Sequence, residues 1–170
     1  MPPMTVRPGS AADAEALIVT LAEGFDSFRA FAPPGWEPPD MEAETARMRT
    51  ELAKPDTWVE VAEVGGAVAG HVAFMPARSH QRGHAMAEDV AHFWQLFVRR
   101  EFWGAGVASR LMADAVAEAR VQGYRAMRLF TPEGQARARR FYEREGWVQH
   151  GEPFEAGLGI PLVEYRRELA

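Results

Sequence analysis

The chain contains no cysteine, which excludes a disulfide scaffold, a thiolate-ligated metal centre and a cysteine nucleophile together. No apolar run approaches the ~18 residues of a membrane-spanning helix. No Gly-Lys-Ser/Thr triplet follows a glycine turn, so a Walker-type phosphate loop is excluded. The opening MPPMTVRPGS lacks the basic and apolar regions of a secretory signal, and no internal repeat is visible. Positive charge is also in short supply: 19 Lys and Arg face 24 Asp and Glu, a net charge of −5, which argues against nucleic acid as the main partner. The expectation is a cytoplasmic enzyme without metal, membrane or nucleic-acid partner. At 170 residues and 47% hydrophobic content it has enough chain for one domain, residues 1–170, with a sizeable core.

Strands and helices alternate along the chain. Thr5–Arg7 reads as a short strand. Ser10 and Asp13 make a capping-box start for a helix with Leu17, Ile18, Leu21 and Phe25 on one stripe. A Pro-rich loop, residues 28–40, carries Phe28, Phe31 and Trp36. Asp40 caps a second helix with Met41, Thr45, Met48 and Leu52 on one face. Trp58–Val64 and Ala67–Met75 form a hairpin around Gly65-Gly66. Residues 77–89 are loop-like, and Val90–Val98 is a long strand. Leu111, Met112, Ala115, Val116 and Ala119 form the buried face of the next helix. Ala126–Phe130 is a strand, with Thr131 and Pro132 as a helix start and Gly146 as a helix stop. Trp147–His150 and Leu162–Arg167 are the last strands, separated by residues 151–161. This order predicts an α/β fold, a mixed and partly antiparallel sheet flanked by helices.

The most informative stretch is LFVRREFWGAGVASRLMADAVAEA, residues 96–119. A strand runs into a turn with Gly104 and Gly106, and a helix follows. Glycines let backbone N–H groups approach a ligand, and the helix N-terminus adds unpaired donors and partial positive charge. That is a pyrophosphate cradle without a lysine. The rival reading is a strand–helix turn that needs glycines for its own geometry. The dinucleotide fingerprint is incomplete, because Ser109 stands at its third glycine and no acidic residue closes the next strand at the required distance.

A second motif, QARARRFYEREGW at 135–147, brings Gln135, Ala138, Phe141, Tyr142, Gly146 and Trp147 into one pattern. Taken alone, Tyr142 reads as a half-buried core tyrosine, with Ala138 and Phe141 packing and Tyr142 turned to an edge. Together the two motifs resemble the GCN5-related N-acetyltransferases (GNAT). Trp103-Gly104-Ala105-Gly106-Val107-Ala108 matches the family's Q/R-x-x-G-x-G/A turn, with Trp103 at the Gln/Arg position. The second motif matches N-x-x-A-x-x-(L/F)-Y-x-x-x-G-(F/W), with Gln135 at the Asn position. The resemblance extends to the first strand and helix and to the hairpin.

The resemblance implies acetyl-CoA as co-substrate and direct attack of a neutral primary amine on its thioester. It assigns the turn 103–108 and Gln135 to coenzyme binding, the main chain of Leu96, Phe97 and Val98 to the pantetheine arm, and Tyr142 to protonation of the leaving thiolate. It also makes the loop between the first two helices a wall of the acceptor pocket, so Phe28, Phe31 and Trp36 are candidate acceptor contacts. They serve equally well as plugs beneath a long loop. For the base, His92 on the long strand titrates near neutrality but also reads as a structural strand histidine. Glu88, Asp89 and Asp26 are outside candidates. Glu37, Asp40, Glu42 and Glu44 suit a cationic amine or a solvated helix end. The run Arg137, Arg139 and Arg140 suits the coenzyme's 3′-phosphate or a solvated helix face.

The expected acceptor is a small-molecule amine. The rivals are a peptide or protein amine and a non-catalytic acyl-CoA-binding module. Homodimers are common in the resembled family, often through C-terminal strands, and LVEYRREL is a candidate for such a strand or for an internal one.

Overall fold

The computed structural model describes residues 2–79 and 88–169. Seven strands form one sheet in the order β1-β2-β3-β4-β5-β7-β6. Their ranges are β1 Met4–Pro8, β2 Trp58–Val64, β3 Ala67–Pro76, β4 Val90–Val98, β5 Ala126–Pro132, β6 Val148–Glu155 and β7 Pro161–Glu168. The helices are α1 Ala14–Ser27, α2 Met41–Leu52, α3 Val107–Val121 and α4 Ala136–Arg144. Every neighbouring pair is antiparallel except β4 and β5. Parallel neighbours need a crossover, and α3 provides it.

The sheet separates two cores. On one face Leu111, Met112, Ala115, Val116 and Ala119 of α3, with Tyr142 of α4, pack on Val72, Phe74, Phe93, Met127 and Leu129. On the other, Leu17 and Leu21 of α1 with Met48 and Leu52 of α2 pack on Val59, Val61 and Ala73. The expected helical stripes therefore face the sheet. The cap of the first helix forms as expected. Ala12 N donates to Ser10 Oγ at 3.3 Å and Ser10 N donates to Asp13 Oδ2 at 2.9 Å. Asp40 Oδ1 accepts from Glu42 N at the start of α2.

Two expectations need correction, and one open choice is decided. Thr131 and Pro132 do not begin a helix: they extend β5 by pairing with Val163 and Leu162 of β7. The chain turns at Glu133 and Gly134, and α4 starts at Ala136. Sheet pairing overrides the local helix-start signal. The separation at 151–161 is far shorter, because β6 and β7 stay paired out to Glu155 and Pro161. The carboxylate of Glu155 gathers the turn, accepting from the N–H groups of Ala156, Gly157 and Gly159 at 3.0–3.1 Å. Of the two readings of LVEYRREL, the internal strand is the one found. β7 is flanked by β5 and β6, so the C-terminal edge of the sheet is β6, which exposes Val148. Of the expected loop 77–89, residues 80–87 lie outside the described residues, and Ala77–Ser79 form a single 3-10 turn.

Candidate functional site

The site begins where β4 and β5 part. Their ladder contains only Val90–Ala126, Ala91–Met127 and His92–Arg128. Past those pairs the strands splay, leaving a notch edged by the second half of β4. There the β3 register slips between Ala73 and Phe74, which face Gln95 and Phe93, so Trp94 is the extra residue of a bulge. Bulges bend a strand and re-aim its groups. Leu96, Phe97 and Val98 follow it on the splayed edge, each half-buried.

The glycine turn lies directly beyond. Gly104 and Gly106 have φ of +80° and +83°, and a Cβ built on either meets nothing within 4 Å. They are required for the left-handed backbone, and they face open space. Gly106 is the N-cap of α3 and supplies no side-chain cap, so the first N–H groups of this helix remain available to an anion. Val107 is buried behind them, while Ala105 and Ala108 are half-buried. Trp103 is 40% exposed. Its Nε1 donates to the Val98 carbonyl at 2.9 Å, tying the turn to the end of β4. Gln135 is the half-buried N-cap residue of α4 and makes no side-chain cap there.

Tyr142 is not turned to an edge. It is buried in the core beneath the notch, with ring centroids 6.2 Å from Trp147 and 6.1 Å from Tyr165. Trp147 in turn meets Phe93 of β4 at 5.5 Å. The Gly146 turn after α4 folds Trp147 back under the sheet and so buries Tyr142 ahead of Phe141. Burial raises the Tyr142 pKa well above the usual phenol value, so the hydroxyl keeps its proton. A residue the motifs did not signal holds this helix. The Tyr165 hydroxyl accepts from Arg139 Nε at 3.0 Å and donates to Glu143 Oε1 at 2.8 Å. Arg139 also donates to the Glu133 carbonyl and to Gln149 Oε1. Arg139 is therefore a structural tie, unlike the exposed Arg137 and Arg140.

A cleft of about 370 Å³ opens at the same end of the sheet, lined by Phe31, Pro33, Glu133, Gly134, Ile160 and Pro161. The three candidate aromatics divide their work. Phe31 lines the cleft. Phe28 is buried below it, 5.5 Å from Phe25 and 5.6 Å from Phe31. Trp36 is a strap: its Nε1 donates to the Leu158 carbonyl at 2.8 Å, and its ring lies 3.3 Å from where a Cβ on Gly159 would be. The sequence reading missed Glu133 and Gly134. Glycine is needed at 134 because a Cβ there would come within 2.8 Å of the Phe31 ring, a contact that only the fold creates.

The base candidates are dispersed. His92 is buried at the last paired position below the notch; Arg128 Nε donates to its Nδ1 at 3.2 Å, and Phe130 lies 5.0 Å away. Asp89 is engaged by Arg125, and Glu88 lies 4.0 Å from Arg78. Asp26 pairs with Arg29, which also takes Glu37. Glu44 pairs with Arg47, and Asp40 is a cap. A second buried histidine escaped notice. His71 on β3 bonds Gln95 at 2.9 Å, and burial lowers its pKa to about 4, so it is neutral. Among the described residues no cluster of His, Cys, Asp or Glu could hold a metal, and no helix is long and apolar enough to cross a membrane.

A family model described as the acetyltransferase (GNAT) family matches residues 21–147. Solved structures with the same fold include an N-acetyltransferase from Staphylococcus aureus Mu50, 18% identical over 99% of each chain with a TM-score of 0.74. Another is the PaiA N-acetyltransferase of Thermoplasma acidophilum in complex with coenzyme A, 15% identical over 98% of this chain and 99% of that one, TM-score 0.70. A third is YncA from Salmonella typhimurium with its cofactor acetyl-CoA, 19% identical over 99% and 95% of the two chains, TM-score 0.73. No curated protein matches the sequence.

Proposed function

The chain belongs to the GNAT acetyltransferase family, and from that membership we propose that it moves an acetyl group from acetyl-CoA to the primary amine of a small molecule. The observation that carries this reading is the pairing of two spaces at one end of the sheet. The notch with its glycine turn faces open space on one side, and a cleft with one aromatic wall, Phe31, opens where β5 ends and β7 begins. The residues suit the coenzyme. Any side chain at 104 or 106 would enter the space before the α3 N-terminus, where free N–H groups suit a diphosphate. The splayed main chain of Leu96, Phe97 and Val98 suits the amide-rich pantetheine arm.

When bound, acetyl-CoA supplies an activated acyl group on a thioester. The chain's own residues do the rest. The edge of β4 orients the donor, and its main-chain donors favour the charge that develops on the acyl oxygen. Tyr142 holds a proton on its hydroxyl for the departing sulfur. Burial suppresses its ionisation, so the hydroxyl is a persistent hydrogen-bond donor to the developing thiolate; the same shift weakens it as an acid, so it stabilises the charge on sulfur ahead of any proton transfer. The amine's proton leaves on the cleft side. His92 is the candidate to receive it at Nδ1 once Arg128 Nε releases that atom, since a neutral ring that accepts there carries its own proton on Nε2. Glu133 at the cleft wall would attract a cationic acceptor before it is deprotonated.

Tyr142→Phe tests the chemistry. Turnover should fall about a hundredfold, the scale of a positioned general acid, with acetyl-CoA affinity within twofold of the wild type. Unchanged turnover removes Tyr142 from the mechanism. A panel of free amines against lysine and N-terminal peptides tests the acceptor. The strapped cleft supports small amines, and acetylation of peptides alone would reverse that choice. Acetyl-CoA binding without transfer to any amine would favour the acyl-CoA-binding module.

A further inference from the structure

A buried polar pair lies behind the second half of β4, where an apolar pair would serve the core better. His71 of β3 and Gln95 of β4 are both buried, and His71 Nε2 bonds Gln95 Oε1 at 2.9 Å. An amide oxygen only accepts, so the ring carries its proton on Nε2. His71 Nδ1 is then a buried acceptor with no hydrogen-bond partner among the described residues, which lowers stability. The bond runs on the diagonal of the ladder: His71 stands opposite Phe97, and Gln95 opposite Ala73. Gln95 is the first residue after the bulge at Trp94, so its side chain ties the bulge to the strand behind it. Phe97 is held from the same side. Its ring stacks on His71 at 6.1 Å between centroids, and it leaves no room for a Cβ on Gly24 of α1.

What this stretch presents to the notch follows from the alternation of main-chain groups along a strand. Arg99 N donates to the Ala69 carbonyl at 2.8 Å. The Phe97 carbonyl also faces β3, where a Cβ on Gly70 would come within 2.6 Å of it. The Val98 carbonyl turns the other way, to Trp103 Nε1. Alternation therefore sends the N–H and C=O of Leu96 outward with those of Val98, into the notch. A bulge displaced by one residue would turn the groups between its old and new positions to the opposite side.

We propose that the His71–Gln95 bond is a positioning device for acetyl transfer: it locks the β4 bulge at Trp94 and so keeps the Leu96 N–H aimed at the acyl oxygen of the donor. The proposal rests on the acetyl-CoA reading above. His71 and Gln95 are positioning residues, since they lie on the α1 side of the sheet with Phe97 and Ala73 and act through the main chain they fix. A donor set in advance is effective because it needs no reorganisation as charge develops on the oxygen. The unpaired Nδ1 is the stability given up for that placement.

The experiment reads the carbonyl stretch of bound acetyl-CoA, isotopically labelled at the acetyl carbon, by difference infrared spectroscopy, beside calorimetric affinity and melting temperature. In the wild type the stretch should lie below that of free acetyl-CoA, because a hydrogen bond to the oxygen weakens the C=O bond. His71→Leu combined with Gln95→Leu, an apolar pair, should return the stretch most of the way to the free value. Its melting temperature should be unchanged or higher, and its acetyl-CoA affinity within twofold. With any amine the wild type acetylates, kcat should fall about tenfold, less than the roughly 10²–10³-fold lost when such a donor is removed outright. His71→Gln, whose amide reaches the place of Nε2, should keep the wild-type stretch, and His71→Asn, which reaches only the place of Nδ1, should lose it. A wild-type stretch in the apolar pair overturns the proposal, as does a shift that appears only in variants with a lower melting temperature. A wild type that binds acetyl-CoA with the stretch of the free thioester also overturns it and leaves the transferase reading standing. Failure of the folded wild type to bind acetyl-CoA removes both.

Discussion

The two faces of the sheet are built differently where they meet the notch. On the α3/α4 face the site is assembled from two short runs of chain, 93–109 and 135–147. Its parts are a bulged strand, two left-handed glycines, a helix N-terminus and a tyrosine on the following helix. On the α1/α2 face the cleft is assembled from pieces far apart in sequence. Phe31 meets Gly134, and Trp36 reaches Leu158 across 122 residues. Local assembly fixes geometry through backbone conformation. Distant assembly fixes it through a few side-chain contacts, each of which can change without disturbing the fold. A family that keeps one donor and varies the acceptor would benefit from that division.

The sharpest way to break the comparison is on the α3/α4 face. Gly106→Trp places a bulky side chain where a Cβ would project into open space, and on a backbone at φ +83°. CoA affinity should fall at least a hundredfold. The melting temperature should drop only by the strain of one left-handed non-glycine residue, of order 1–2 kcal/mol. Binding that survives this substitution would mean that the turn is a structural connection and that the notch holds something else.

The same contrast governs what could be read from the sequence. The order of elements, the mixed sheet and the buried stripe of α3 were legible because each is written in local periodicity. Gly104 and Gly106 were legible because a left-handed backbone needs a particular residue. The start of α4 was misread because Thr131 and Pro132 carry a local helix signal, while β7, some thirty residues later, claims them for the sheet. Tyr142 was turned the wrong way because its burial depends on Trp147 and Tyr165. His71 could not be found, since only the fold brings Gln95 to it. The cleft was half legible: its aromatics could be named, but not that Phe28 would be a plug, Phe31 a wall and Trp36 a strap.

A smaller effect sharpens the comparison from the α1/α2 face. Trp36→Ala removes the bond to Leu158 and the contact over Gly159. The acceptor KM should rise about tenfold, the scale of a lost ordered wall plus one hydrogen bond, while CoA affinity stays within twofold. Steady-state kinetics with any amine the wild type acetylates would decide this. A loss that fell equally on CoA would show that the two faces are mechanically one unit.

The smallest effect separates the faces by pH. Between the sheet and α1, His71 is held neutral by burial, with its pKa lowered to about 4. The unfolded chain takes up that proton near pH 6.5, so stability is lost as pH falls from there toward 4. The loss reaches about 3 kcal/mol, since each pKa unit is worth ~1.4 kcal/mol. Between the sheet and α3 the sign reverses. Burial first, and then Asp114, raise the Glu60 carboxyl to about 7, against a weaker opposing pull from Arg110. Arg110 is instead bonded to Asp114 at 2.6 Å. Protonated Glu60 suits the fold, so its contribution is intact below the ordinary carboxylate value and declines as pH rises through 7. Glu60→Gln should therefore raise the melting temperature at pH 8 by about 2–4 °C, the change that ~1 kcal/mol produces in a chain of this size. It should change little at pH 5 and leave the acid limb untouched. A variant that flattened the acid limb instead would place the controlling group on the other face, and would mean that the carboxyl beside α3 is not the one that titrates.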